Sequence, residues 1–276
     1  MKFGIHLPQS GPAASADAIS GGAKHAEDLG FSDVWVSDHI VLPRGAPYPP
    51  SSYILEPLVA LTWAAAATER VGLGTTVLVL PLRPPVLLAK MLGSLDIMSG
   101  GRVIVGAASG WLKEEFDALG VPFEERGVRT DETIDLMRQC WENDPIDTVA
   151  TATGAKLVAM RAKPQPDRRI SIWIGGHSEA AFRRAIRVGD GWHGAFQSPD
   201  KTAEMTARLR SERPDPDSLF RCERPGMHCG TMRATSRASS INSWKPESNI
   251  SWRSRSSAIV IHGSAVARRS RRSSSR

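Results

Sequence analysis

The sequence predicts an α/β protein of the (β/α)8 TIM-barrel type, incomplete, with about six βα units readable and a basic C-terminal tail outside the pattern. Between residues 1 and 220, short apolar runs alternate with stretches of helical period. Several of those runs are nearly continuous in apolar character, as strands covered on both faces should be. A doubly wound sheet fits the same periodicity, but no reversal interrupts the succession, and about 250 residues is the usual size of a barrel.

Phe3-Gly4-Ile5-His6-Leu7 reads as the first strand. Ser15 to Leu29 reads as a helix, with Ile19, Ala23, Ala26 and Leu29 on one face and Gly30 as its stop. Asp33-Val34-Trp35-Val36-Ser37 forms a second strand that opens into Asp38-His39. Pro57 suits a first helical turn, and Leu58, Leu61, Ala65 and Thr68 follow at helical spacing. Val71 to Leu80 reads as one buried strand, and Pro84-Pro85 starts a helix that stops at Ser99-Gly100. Arg102 to Ala107 is a fourth strand, followed by a helix through Asp131–Trp141 with Ile134, Met137 and Trp141 on one side. Ile170 to Ile174 is a fifth strand, continued by Gly175-Gly176-His177-Ser178 and a helix to Val188. Gly189 to His193 reads as a short sixth strand.

The 276 residues are 41% hydrophobic and 23% charged, an ordinary composition for a soluble globular protein. The longest apolar stretch, Val77–Leu92, is broken by Arg83, Pro84, Pro85 and Lys90, so no membrane-spanning helix is expected. Met1-Lys2 leads directly into the first strand without a signal-peptide core, and three cysteines are too few for a disulfide framework. Both features point to the cytoplasm.

The net charge of +6 has an uneven origin. Of the 35 basic and 29 acidic residues, 12 and 2 lie in 221–276, which leaves 23 and 27 in 1–220. The body is mildly acidic and offers no surface for specific nucleic-acid binding. The tail holds 14 Ser and 11 Arg in its 56 residues, with no Leu and no Phe, so it cannot offset the entropy of its own ordering. The expected organisation is therefore an incomplete barrel domain over 1–220 and a disordered Ser/Arg-rich tail over 221–276, with at most one strand at Ala258–His262. The abrupt loss of Leu and Phe after Phe220 suits a change of reading frame near 220, the alternative being a natural or engineered extension. Cys222, His228 and Cys229 fit no zinc spacing, and no metal site is expected.

Several loops carry chemistry. Asp38-His39 sits at a strand's C-terminal end, where a parallel barrel has its active-site mouth. An imidazole there exchanges protons near neutral pH, and an adjacent carboxylate can tune it, although a polar pair can also simply cap a strand. Gly74-Thr75-Thr76-Val77 puts a small residue inside a buried strand, which marks a bulge, a ligand approach or plain packing. Gly106-Ala107-Ala108-Ser109-Gly110-Trp111 is a small-residue loop without a dinucleotide fingerprint. Gly175-Gly176-His177-Ser178 lies between strand and helix, so free N–H groups and the helix dipole could hold a phosphate, or Ser178 could cap the helix instead.

Taken in order, the segments "FGIHLPQSGP", "AEDLGFSDVWVSDHI", "EPLVALTWAAAATERVGLGTTVLVLPLRPPVLLAKMLGSLDIMSGGRVIVG", "SGWLKEEFDALGVPFEERGVRTDETIDLMRQCW", "KPQP" and "IWIGGHSEAAFRRAIRVGDGWHG" carry a family resemblance over about 1–197. The chain resembles the luciferase-like monooxygenase superfamily, in particular its branch of oxidoreductases dependent on the deazaflavin coenzyme F420. The resemblance implies a (β/α)8 barrel with the coenzyme ring in its mouth. It implies that Asp38 and His39 match a catalytic pair beside the ring, His39 handling the proton during hydride transfer and Asp38 orienting it. Thr76-Val77 matches the place of a non-prolyl cis peptide supporting the ring, Gly175, Gly176, His177 and Ser178 match the phosphate loop, and Ser109 and Gly110 match a second loop lining the coenzyme. Ala108 stands where many relatives have glycine, and Asp147–Lys163 matches weakly.

The function so implied is hydride transfer between F420 and an organic small-molecule substrate, in a protein whose relatives are commonly dimers or larger, a homodimer being one expected state. The alternatives are an FMN-dependent luciferase-type monooxygenase and an inactive truncated product with a nonspecifically binding basic tail.

Overall fold

The computed structural model describes residues 2–195, 197–212 and 259–262. The disorder expected of the tail, the boundary near 220 and the Cys222, His228 and Cys229 group lie outside them.

β1 (Lys2–His6), β2 (Asp33–Val36), β3 (Gly72–Thr75), β5 (Val103–Ala108), β8 (Ser171–Gly175) and β9 (Gly191–His193) pair in parallel, each beside the next, and β4 (Leu78–Val79) pairs with β5. Neighbours in the sheet are successive turns of the chain, which is the winding of a barrel without a switch point. The parallel sheet curls as a half-barrel, the incomplete TIM-barrel type that the sequence predicts. β10 (Ile259–His262) lies antiparallel on β1, where a closed barrel would set a parallel strand.

The helices form where local chemistry allows. α1 (Ala16–Asp28) is capped by Ser15, whose hydroxyl accepts from Ala18 N, and ends before Gly30, whose φ of +82° suits glycine. α2 (Pro57–Ala66) starts on Pro57 with Glu56 capping Val59 N. α3 (Pro85–Met98) starts on Pro85 and packs on α5 (Arg126–Glu142), where Trp141 Nε1 donates to Ala89 O at 2.9 Å. α5 is longer than the expected Asp131–Trp141 and is preceded by the short α4 (Lys113–Ala118). α6 (Glu179–Val188) and α7 (Pro199–Glu212) complete the described helices. Val34, Val36, Leu73, Val103, Val105, Ile172 and Ile174 are buried and join the helices in one core, each such side chain contributing about 1.5–3 kcal/mol.

Two differences from expectation bear on the site. The third strand is not continuous: the Thr76–Val77 peptide is cis and separates β3 from β4. Against β5 the pairing offset changes there, Gly74 facing Ile104 but Leu78 facing Ala107, so one extra residue is accommodated as a bulge. The weakly matching segment forms an antiparallel hairpin, β6 (Ile146–Ala150) and β7 (Ala155–Met160), apart from the main sheet.

At the amino ends of the strands, polar groups lock the frame. Glu27 accepts from the backbone N–H groups of Glu69, Arg70 and Val71 at 3.0, 2.5 and 3.0 Å. Arg102 donates to Thr68 O, Ala65 O and Ser99 O, tying the ends of α2 and α3 to β5. This end of a barrel serves stability, and the opposite rim serves function.

Candidate functional site

Because the strands are parallel, the loops after β2, β3, β5 and β8 open on one rim. Asp38-His39 follow β2, and Gly175 ends β8 with Gly176 just after it. Three strand spacings separate β2 from β8, about 14 Å along the rim.

Asp38 and His39 do not act on each other. The Asp38 carboxylate is held by Arg83 through both oxygens, at 2.5 and 2.8 Å, and accepts from Val79 N at 2.9 Å. Arg83 also donates to Glu56 at 3.0 Å. Burial pushes the Asp38 carboxyl up, against the pull of Arg83. Burial opposes the Arg83 charge, yet Asp38 and Glu56 outweigh it and keep the guanidinium above its ordinary range. The expectation that Asp38 orients His39 is therefore corrected: a guanidinium within reach captures the carboxylate through a bidentate pair.

The group that touches the His39 ring is Glu115 of α4. Its Oε2 lies 3.2 Å from His39 Nδ1, and its Oε1 accepts from Ile40 N at 2.5 Å and Val41 N at 3.2 Å. The side chains of His39 and Glu115 are 9% and 2% exposed. Burial works against the Glu115 charge, but the ring and the two N–H groups outweigh it and hold the carboxyl below its usual range. Trp111 stands edge-on to His39 with ring centres 6.1 Å apart, and Tyr48 lies 6.5 Å from Trp111, giving an aromatic lip.

A second polar chain starts on β1. His6 Nδ1 lies 2.7 Å from Leu7 O, to which it donates, and Nε2 is 2.8 Å from Ser37 Oγ. Burial lowers the His6 pKa, against the Leu7 carbonyl bond. Ser37 Oγ is also 3.3 Å from Thr76 O, the carbonyl of the cis peptide.

The remaining sequence-derived residues divide by role. The Val77 side chain fills the space over Gly106 and Gly175: a Cβ on Gly175 would stand 2.7 Å from its Cγ1. The close approach at Gly74 is made by Trp35, whose indole would meet a Cβ there at 2.3 Å, so packing explains that glycine. Gly110 has φ +82° and faces Phe116 and Val79. Ser109 Oγ lies 3.0 Å from Thr130 Oγ1 and accepts from Arg184 at 3.2 Å, itself paired with Asp131. At the phosphate-loop candidate, Gly176 has φ +112°, its N–H bonds His193 O at 3.2 Å, and Ser178 caps α6 by accepting from Ala181 N at 3.2 Å. The exposed His177 and the first N–H groups of α6 are left for an anion, while the Glu179 carboxylate is drawn to Arg208 at 2.7 and 2.8 Å.

Sequence reasoning missed Glu115, Arg83 and His6. One signal existed for Glu115: Leu112, Phe116 and Leu119 define an apolar helical face, and Glu115 sits on it. A carboxylate on an apolar face needs a buried partner.

A parallel βα half-barrel carries its βα loops, here those of His39 and Gly175–Ser178, on the carboxyl rim, where parallel barrels place their ligand sites. The chain belongs to the luciferase-like monooxygenase family, whose model matches residues 1–223. It is 34% identical over 200 residues to an uncharacterised protein of Mycobacterium tuberculosis, covering 68% of each chain. It is 31% identical over 181 residues to an F420-dependent glucose-6-phosphate dehydrogenase of Amycolatopsis mediterranei, covering 62% of this chain and 50% of that one. Among solved structures, the monooxygenase RslO1 from Streptomyces bottropensis is similar with a TM-score of 0.63 and 28% identity, over 79% of this chain and 66% of that one. The chain thus spans about half the length of the dehydrogenase it matches. No helix among the described residues is long and apolar enough to cross a membrane.

Proposed function

We propose that the protein is an F420-dependent oxidoreductase acting on an organic small molecule, with His39 as the group that takes or gives the proton. The observation that carries this reading is that the loops bearing His39 and Gly175–Ser178 follow β2 and β8 on one rim, the two strands being three spacings apart in the sheet, about 14 Å along it. The likeness to F420-dependent dehydrogenases supports the deazaflavin over other coenzymes. The loop fits such a group: Gly176 adopts a conformation that favours glycine, and the start of α6 offers donors to an anion.

Bound F420 would supply a ring carbon that carries the hydride. The chain supplies position and proton handling. Gly176, His177 and Ser178 would hold the phosphorylated side chain, and Ser109 and Gly110 would border the coenzyme beside them. The main chain at Thr76–Val77 would support the ring. His39, near the aromatic lip of Trp111 and Tyr48, would exchange its proton at Nε2 with the substrate oxygen. Asp38 serves this site indirectly, by fixing Arg83 and the Val79 main chain.

Titration with F420 and with FMN, followed by visible absorbance and fluorescence, tests the reading. Saturable binding of F420, weakened by Gly176→Val, is the expected result. Tight binding of FMN alone would replace it with the monooxygenase reading that the likeness to RslO1 supports.

A further inference from the structure

We propose that Glu115 is a positioning residue for His39: it holds the neutral imidazole as the Nδ1–H form and leaves Nε2 as the atom that faces the reacting molecule. The catalytic consequence rests on the proposed role of His39, while the tautomer itself is a property of the uncomplexed chain.

The argument is one of donors and acceptors. The N–H groups of Ile40 and Val41 can only donate, and both point at Oε1 of Glu115, at 2.5 and 3.2 Å. Oε2 is left for the ring, 3.2 Å from Nδ1. Backbone and ring together keep the carboxyl ionised, so it has no proton to give, and Nδ1 must be the donor. No lysine or arginine hydrogen-bonds Glu115 among the described residues, so no side-chain cation competes with the ring. The nearby charges are committed elsewhere: Asp38 and Glu56 to Arg83, and on α4 Lys113 to Asp117, with Glu114 exposed. Among the described residues nothing hydrogen-bonds His39 Nε2. Burial of Glu115 makes the arrangement costly to lose, because an unpaired buried carboxylate is expensive.

This geometry makes an unusual demand of Glu115→Gln. The two backbone donors pin the amide oxygen, so the amide NH2 faces Nδ1 and donates to it. The ring proton must then move to Nε2. Nitrogen-15 spectra of the full chain with labelled histidine, recorded near about pH 8.5 where an ordinary imidazole is neutral, read this directly. His39 signals are those lost in His39→Ala. The expected result is Nδ1 protonated in the wild type and Nε2 protonated in Glu115→Gln. A wild-type ring protonated at Nε2, or a ring whose tautomer is unmoved by the substitution, would overturn the proposal. If Glu115→Gln fails to fold, the wild-type spectrum alone decides. Failure of F420 to bind would sink the functional reading and leave the tautomer result standing, so the two are separable.

Discussion

Asp38 and His39 are adjacent in the chain but bond to opposite partners, Asp38 to Arg83 and His39 to Glu115. The divergence separates a structural charge pair from a chemical one. Asp38→Asn leaves the partly buried Arg83 charge with only Glu56 to meet it. The expected loss is about 3 kcal/mol of stability, measured by urea unfolding, with the His39 tautomer unchanged. A loss below about 0.5 kcal/mol would show that the pair is dispensable.

Gly106 and Gly21 make a matched test of backbone crowding. A Cβ on Gly106 would lie 2.0 Å from Thr75 O, whereas one on Gly21 meets nothing within 4 Å. Gly106→Ala is expected to abolish the folded rim, and Gly21→Ala, inside α1, to stabilise by about 0.5–1 kcal/mol. Thermal unfolding of the two variants side by side measures both.

Glu27 makes stability depend on acid. Burial raises its pKa, but the three backbone donors at Glu69, Arg70 and Val71 outweigh that and lower it below the ordinary value. A carboxyl depressed on folding contributes fully above its unfolded pKa of about 4.3 and loses that contribution as pH falls through the folded value. Glu27→Gln should therefore flatten the fall in stability below about pH 5 while costing about 1–3 kcal/mol at neutral pH. Parallel unfolding curves for the two proteins across that range would contradict the assignment.

The outer faces of α2 and α3 carry Val59, Trp63 and Leu87, each more than half exposed, and α2 contains no charged residue from Pro57 to Ala66. A helix apolar on every side is normally covered on every side. A homodimer would bury this surface. Trp63→Glu is then expected to convert a dimer to a monomer in sedimentation; a wild-type monomer at micromolar concentration would remove the idea.

The arrangement of the fold was legible because its signals are local. Ser15, Pro57 and Pro85 mark helix starts, Gly30 marks a stop, and all of them work through their own turn of backbone. The hairpin at Ile146–Met160 was not legible, since its exposed Val149, Val158 and Met160 blur the inside–outside alternation. The break at Thr76–Val77 was readable only through the family resemblance, because the apolar run across it is continuous.

Sequence alone determined the succession of βα units and thereby the rim on which the loops of Asp38-His39 and Gly175–Ser178 stand, since parallel winding sends every such loop to one end. Tertiary structure decided which side chains meet there. Glu115 is 76 residues from His39 and Arg83 is 45 from Asp38, and no local periodicity encodes a hydrogen bond between two separate loops. Such partners are selected by where packed elements bring donors and acceptors within 3 Å or so, in a place too buried for water to serve instead.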